Sequence, residues 1–476
     1  MNANIGSLSP DTAPLEQPVD RLISIPYLAL RISTAVGALL MGFIQTFVFA
    51  RVLAPDRFSV FIVVGGIGYT LWLTDLGLAK ILFVNLRAGH LTGKPDQRDA
   101  RQATAVILFY VLLGIAASLV CVAINFARPD STFRGSAELG LFLLFIALNL
   151  AWYSLRSISI AVDLFLFYEK LELARRIFVI ATMLAMLAGL PLLAFLIGAN
   201  LAWAVLLFAA PAKLIRRGAM AARRDGCFQE FISFFRLNIG TISRSGTSAL
   251  SGVFVATFPY YFVPVAFGLG AAPIILEVTF RAFRGASVIY AAACDLTLPG
   301  QTRALATHDA RRLVRTTLLA VALCAVPAMF ACVALIFAAG PLFKFLLRSA
   351  AVVPPAIAPI LVVLLLVNVV QIVAEALLQH TGYFRSLARV GAAVALMMIV
   401  AAALSVAAKF DIVGFLAAYT VVFTTGALCL AVAVVTGPIR AAASHPGATN
   451  PSHGVFKTIR NALRATTASD RSHYAE

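Results

Sequence analysis

The stretch GAAPIILEVTFRAFRGASVIYAAACDLT, residues 270–297, is long enough to cross a bilayer as one helix, yet it carries four charges. Glu277, Arg281, Arg284 and Asp295 are 4, 3 and 11 residues apart, so all four fall on one stripe of that helix. Glu277 and Arg281 have the i, i+4 spacing of a direct ion pair. Arg284 has no acidic residue one turn away and lies near the middle of the run. A charge in hydrocarbon costs at least a few kcal/mol and normally faces a cavity or an ion pathway. Arginine stays protonated wherever it is placed. The stretch therefore reads as a membrane helix with one face turned to a polar interior.

The same pattern extends along the chain. Its 476 residues are 61% hydrophobic and only 12% charged, a balance that excludes a soluble globular domain. Twelve spans are expected, at 22–49, 58–84, 103–126, 139–167, 177–197, 200–215, 237–263, 270–297, 316–339, 356–379, 387–407 and 412–437. The sixth is short and contains Pro211. Prolines 191, 259, 264, 327 and 359 predict kinks or broken turns. The fold class expected is an all-α polytopic membrane protein with about twelve transmembrane helices in two six-helix lobes.

The net charge of +17 is compatible with a nucleic-acid partner, but the basic residues lie in short loops between apolar runs. Of 38 Lys and Arg, 25 fall in one alternate set of loops with the two tails and 7 in the other. That asymmetry predicts that both termini are cytoplasmic, that the basic loops meet anionic phospholipids, and that no nucleic acid is bound. The six cysteines are scattered singly and the six histidines lie in loops and tails, so neither a metal site nor a cofactor is expected. Residues 1–21 read as a disordered tail rather than a signal peptide, having three prolines and no basic residue before Arg21.

The loop 213–236 divides the chain, giving an N-lobe over 22–215, a linker over 216–236 and a C-lobe over 237–437. Its segment CFQEFISFFRL (227–237) is expected along the membrane interface. RISTAVGALL from Arg31 and RSGTSALSGV from Arg244 share an arginine, a threonine three residues later and then small residues, a faint parallel repeat. In the basic tail 438–476, VFKTIRNALRA (455–465) has an apolar and a basic face, matching either a helix on anionic headgroups or a solvated tail.

Five arginines lie inside spans: Arg31, Arg156, Arg244, Arg281 and Arg284. Together they point to an anionic, phosphate-like ligand. The competing reading, for Arg281 above all, is an ion-pair ladder between helices. Span seven adds a stripe of Asn238, Thr241, Thr247, Ser248 and Ser251 around Arg244, and span ten aligns Asn368, Gln371, Glu375 and Gln379 on one face. These stripes either line a cavity or join helices. Span four sets Trp152, Arg156, Ser159 and Asp163 along one side. Asp75 and Glu375 are candidates to couple a proton or sodium ion, or to be structural partners of Arg31 or Arg244. No catalytic constellation emerges.

Several segments together resemble the polysaccharide-transport proteins, the O-antigen flippase branch of the multidrug/oligosaccharidyl-lipid/polysaccharide (MOP) exporter superfamily. FARVLAPDRFSVFIVVGGIGYTLWLTDLGLAK (49–80) is similar to that family's first hairpin, with its R-x-L-x-P turn at Arg51, Leu53 and Pro55 and its D-L-G motif at Asp75–Gly77. DLTLPGQTRALATHDARRLVR (295–315), ALLQHTGYFRSLARVG (376–391) and KFDIVGFLAAYTVV (409–422) resemble later family segments in the same order, the last keeping only one glycine of its motif. The resemblance implies a two-lobed inverted V in a bacterial inner membrane, moving an undecaprenyl-pyrophosphate-linked oligosaccharide between leaflets. A drug or cation antiporter of the same superfamily would need an acidic cavity. A membrane polymerase or glycosyltransferase would need a large outer loop. A major-facilitator transporter would need a G-x-x-x-D-R-x-G-R-R pattern in 85–102, which that loop lacks.

Overall fold

A backbone in hydrocarbon finds no water to bond, so each apolar run must satisfy its own amides, and here every run becomes a helix. The computed structural model describes residues 25–91, 96–128, 132–222, 226–348 and 350–443. The two outer tails, including 455–465, lie outside the described residues, as do the side chains of Lys80, Thr241, Arg244, Thr247 and Ser248.

The helices are α1 (Ile25–Val52), α2 (Pro55–Thr70), α3 (Leu78–Leu91), α4 (Gln97–Phe126), α5 (Phe133–Ala161), α6 (Phe165–Leu187), α7 (Leu192–Arg216), α8 (Cys227–Phe267), α9 (Ala271–Ala306), α10 (Ala310–Leu347), α11 (Ile357–His380), α12 (Phe384–Ala407) and α13 (Ile412–Val434), with a π turn and a short α14 (Arg440–Ala443) closing the chain. Counting α2 and α3 as one bent rod, the described residues form twelve long rods. Among the described residues, ten helices are long and apolar enough to cross a membrane. The two long helices outside that set, α6 and α9, carry Glu169, Glu172, Arg175 and Arg176, and Glu277, Arg281, Arg284 and Asp295.

Packing repeats between the two halves. α1 packs on α6 as α8 packs on α12, α4 on α5 as α10 on α11, and α5 on α7 as α11 on α13. Between the halves, α1 lies on α9 and α2 on α8, the two members of one crossed pair. At the end away from the termini, Arg51 joins the halves. Its guanidinium donates to the carbonyls of Phe345 at 2.5 Å and Leu346 at 3.1 Å, capping the last turn of α10, and lies over the Phe47 ring. Nearby, Ser59 Oγ accepts from Gly270 N at 3.1 Å and donates to Gly270 O at 2.7 Å.

Several boundaries differ from expectation. Span two is not continuous: a tight 3₁₀ turn over Leu71–Asp75 is followed by Leu76 and Gly77, both at positive φ. Asp75 caps the helix that restarts there, accepting from Ala79 N at 3.2 Å and from the Tyr110 hydroxyl at 2.8 Å. Span four ends early, at Ala161, and turns at Asp163, whose carboxylate holds Arg87 at 2.7 Å and His90 at 3.0 Å. The expected loop 168–176 is therefore helix, the first turns of α6, with Glu169, Glu172 and Arg175 buried. Pro191, expected to kink a span, instead starts α7 after a left-handed Gly189. The expected interfacial segment 227–237 is the first part of the 41-residue α8.

The α2–α8 crossing depends on Gly66, where a methyl would overlap Cβ and Cγ of Tyr260. Gly66→Ala is expected to destabilise the fold by about 1–3 kcal/mol, the usual range for overpacking. The check is thermal unfolding of the purified protein in detergent, where the variant should melt several degrees lower.

Candidate functional site

Two charge clusters sit where the halves meet, and they are built differently. In the deeper one Glu277, buried on α9, is shared by both arginines of its own helix. Its Oε1 accepts from Arg281 Nε, and its Oε2 lies 3.1 Å from Arg284 Nη2 and accepts from the Tyr260 hydroxyl at 2.6 Å. Arg281 also crosses to α1, donating to Gly42 O at 2.9 Å and Gln45 Oε1 at 3.0 Å. Arg284 donates to Tyr260 Oη at 2.7 Å and lies over the Tyr69 ring of α2 at 4.4 Å. Four helices from both halves thus converge on one carboxylate. The spacing that predicted the Glu277–Arg281 pair is realised. Arg284, read as lacking an acidic neighbour, is held by the same glutamate two turns away.

The second cluster lies nearer the end carrying the termini. Arg31 on α1 approaches Glu169 of α6 at 3.5 Å and Asp295 of α9 at 3.6 Å. Arg156 on α5 approaches the same Glu169 oxygen at 3.5 Å. Neither arginine reaches the 2.7–2.9 Å of a charge-assisted hydrogen bond, and Nε of each is buried without a hydrogen-bond partner. Behind them Glu172 is saturated, taking Arg175 at 2.7 and 2.9 Å and Arg176 at 2.5 Å, while Arg175 stacks on Trp203. Trp152 is buried against Tyr168 and Trp203. Trp72 packs on Tyr153, one turn from Arg156, and leaves its indole N–H unpartnered.

A third polar group occupies the second half. Asn368, Gln371 and Glu375 of α11 line a cavity of about 180 Å³ with Ser251, Ser287 and Tyr419. Asn368 donates to Ser287 Oγ at 2.8 Å and Gln379 to Glu375 at 2.9 Å, while Asn368 Oδ1 and Gln371 Oε1 are buried without hydrogen-bond partners. The two halves therefore leave opposite polarity unanswered. Among the described residues, five of the eight unpartnered buried atoms in the first half are pure donors, on Arg31, Trp72, Trp152, Arg156 and Arg175. The second half leaves two carbonyl oxygens and the Tyr290 hydroxyl, with no pure donor.

Arg31, Arg156, Arg281 and Arg284 are thus brought to the junction of the halves, whereas Asp75 caps α3 and the Asn368–Glu375 face lies in the second half. Arg244 is on α8 with its side chain outside the described residues. Arg31 pairs with Glu169 and Asp295. Sequence reasoning missed Glu169 because its charge-rich surroundings look like a loop. The signal was there in the helical spacing of Glu172 with Arg175 and Arg176, which fits an ion-paired helix.

No protein-family model and no curated protein matches the sequence. Solved structures do match the fold. An inward-facing multidrug resistance MATE family transporter of the MOP superfamily superposes with a TM-score of 0.60 at 11% identity, covering 88% of this chain and 100% of that one. The lipid II flippase MurJ in an inward closed conformation gives 0.53 at 17% identity, covering 87% and 89%. A MOP superfamily transporter from Pyrococcus furiosus, described by the reversed polarity of its binding pocket, gives 0.54 at 11% identity, covering 90% and 99%. The chain is a multi-pass membrane protein with the fold of MOP superfamily transporters.

Because Glu277 is the shared counter-charge of two partly buried arginines, removing its charge leaves both without it. Glu277→Gln is expected to cost about 3–5 kcal/mol, the usual penalty for breaking a buried pair. The measurement is thermal stability in detergent, in which Glu277→Gln should fall well below the variant lacking all three charges and filled with apolar residues.

Proposed function

We propose that the chain is a flippase for a lipid-linked oligosaccharide bearing a pyrophosphate, working in a bacterial inner membrane with both termini in the cytoplasm. The observation that carries this reading is the loosely held pair Arg31 and Arg156, partly accessible side chains whose 3.5–3.6 Å contacts with Glu169 and Asp295 are too long for charge-assisted hydrogen bonds. Pyrophosphate offers several anionic acceptors to such donors, and charge-assisted bonds to arginine are strong. Arg281 and Arg284 set a positive potential deeper in the same junction, two arginines against one glutamate. Arg244 belongs to the same proposed site by its place on α8. The fold, shared with a lipid II flippase at low identity, is consistent with this use.

The physical task is moving a polyanionic, hydroxyl-rich head through about 30 Å of hydrocarbon. Arginines meet the diphosphate while Tyr69, Gln45 and Asn149, which line a cavity of about 170 Å³ between α1, α2 and α5, offer groups to sugar hydroxyls. Rocking of the lobes 22–215 and 237–437 about the linker 216–236 then presents the head to the other leaflet. A drug antiporter of the same fold needs a roomy cavity with acceptors. The acceptor-lined cavity here, at about 180 Å³, suits a small cation by its oxygen lining. We assign it to a coupling sodium ion or proton, with Asn368, Gln371 and Glu375 as its donors of oxygen.

Two measurements test these assignments. In a strain lacking its own flippase, the wild-type chain should restore polysaccharide export, and Arg31→Ala and Arg156→Ala should each abolish most of it at unchanged membrane abundance. Export at wild-type level by both variants would overturn the anion site. For the cation, replacing choline chloride by sodium chloride should raise the melting temperature of the wild-type protein and leave Gln371→Ala unmoved; no sodium effect on the wild type would leave the proton as the coupling ion.

A further inference from the structure

Arg31 holds two carboxylates of unlike character. Glu169 comes from its own half and is 3% accessible; Asp295 comes across the junction from α9 and is 51% accessible. A carboxylate that open is met by water rather than by lipid tails. Its contact with Arg31, at 3.6 Å, is too long for a strong hydrogen bond, and Arg31 Nε beside it is buried and unpartnered. The short contacts of Arg175 and Arg176 with Glu172, at 2.5–2.9 Å, show what a permanent pair looks like in this fold.

We infer that Asp295 is the resident counter-ion of the anion site, displaced from Arg31 by the incoming diphosphate, and that this exchange unties the two halves at the end carrying the termini. The inference rests on the function proposed above. A phosphate oxyanion outcompetes Asp295 because it presents more acceptor oxygens and more charge to the same guanidinium. Asp295 loses little, since at 51% accessibility water takes over its solvation. Glu169 cannot follow it, because a buried carboxylate without a partner is costly. It stays between Arg31 and Arg156, keeping both side chains aimed at the ligand.

The consequence for the lobes follows from where the tie sits. α1 and α9 are joined deeper in the molecule by Arg281 on Gly42 O and by the packing of Leu39 against Gly285. Asp295 lies eleven residues beyond Arg284, about 16 Å further along α9 at the helical rise. Breaking an ion pair so far from the deeper joint frees the near ends of α1 and α9 to separate while the joint itself holds. Substrate occupancy and lobe movement are thereby coupled through one exchangeable carboxylate.

The test uses the full chain in lipid nanodiscs, farnesyl pyrophosphate as probe, and spin labels on the ends of α1 and α9 nearest the termini. Wild-type protein should bind the probe and lengthen the inter-label distance; farnesol should do neither. Asp295→Asn should bind the probe roughly fivefold tighter, the size of one half-exposed ion pair, and show the long distance without ligand. The swap Arg31→Asp with Asp295→Arg should restore the short unliganded distance but not binding. Unchanged or weaker binding by Asp295→Asn, or a swap that restores both distance and export, would overturn the inference while leaving the proposed function intact. Failure of the wild-type protein to bind the diphosphate would overturn both.

Discussion

One buried carboxylate, Glu277, sets the geometry on which the rest of the junction depends. Burying it costs several kcal/mol unless its oxygens are answered, and three groups answer them: Arg281, Arg284 and the Tyr260 hydroxyl. Those partners are themselves fixed, Arg281 by backbone and amide oxygens of α1 and Arg284 by the face of Tyr69 on α2. The helices that cross between the halves are therefore registered against one another by a single acid. Gly42 and Gly66 permit the approach, the first against the Arg281 side chain and the second against Tyr260.

Against that fixed centre, the Arg31–Arg156 cluster stands out by its looseness. Charges in the same protein form a short bidentate pair at Arg175 and Glu172 and 3.5 Å contacts at Glu169 with Arg31 and Arg156. The short pair is 1% and 5% accessible and is closed to ligands, whereas Arg31 and Arg156 are 17% and 22% accessible. The long ones keep donors in reserve, which is the condition for exchanging one anion for another. In the second half the reserve is of acceptors instead. The first half leaves acceptors on Glu169 and Asn200 as well as donors, so the imbalance toward donors is one of degree.

Much of the architecture was legible because its causes are local. Apolar length fixes a membrane helix, and the i, i+4 spacing of Glu277 and Arg281 fixes a pair, so both could be read from residue order alone. The shift of α6 was hidden for the same reason that it matters. Five charges in YEKLELARR look solvated until the helices that neutralise them are in place, and Arg31 and Arg156 are 138 and 13 residues away from Glu169 in sequence. The hold of Glu277 on Arg284 was likewise beyond pattern reading, since it spans two turns and is completed by Tyr260 from another helix. Asp75 looked like a membrane carboxylate in need of a role. Its role is to restart a helix after a turn that Leu76 and Gly77 make left-handed, and the D-L-G spelling is the grammar of that joint.

That joint has no counterpart across the repeat. The rod formed by α2 and α3 is interrupted at 71–77, whereas its partner in the second half, α9, runs unbroken for 36 residues. A continuous helix transmits a displacement along its whole length; a jointed one absorbs it at the break. The two halves are thus mechanically unequal despite their shared packing plan. One behaves as a stiff lever and the other as an elbow, so a push that starts at the same depth on both sides arrives at the far surface on only one of them.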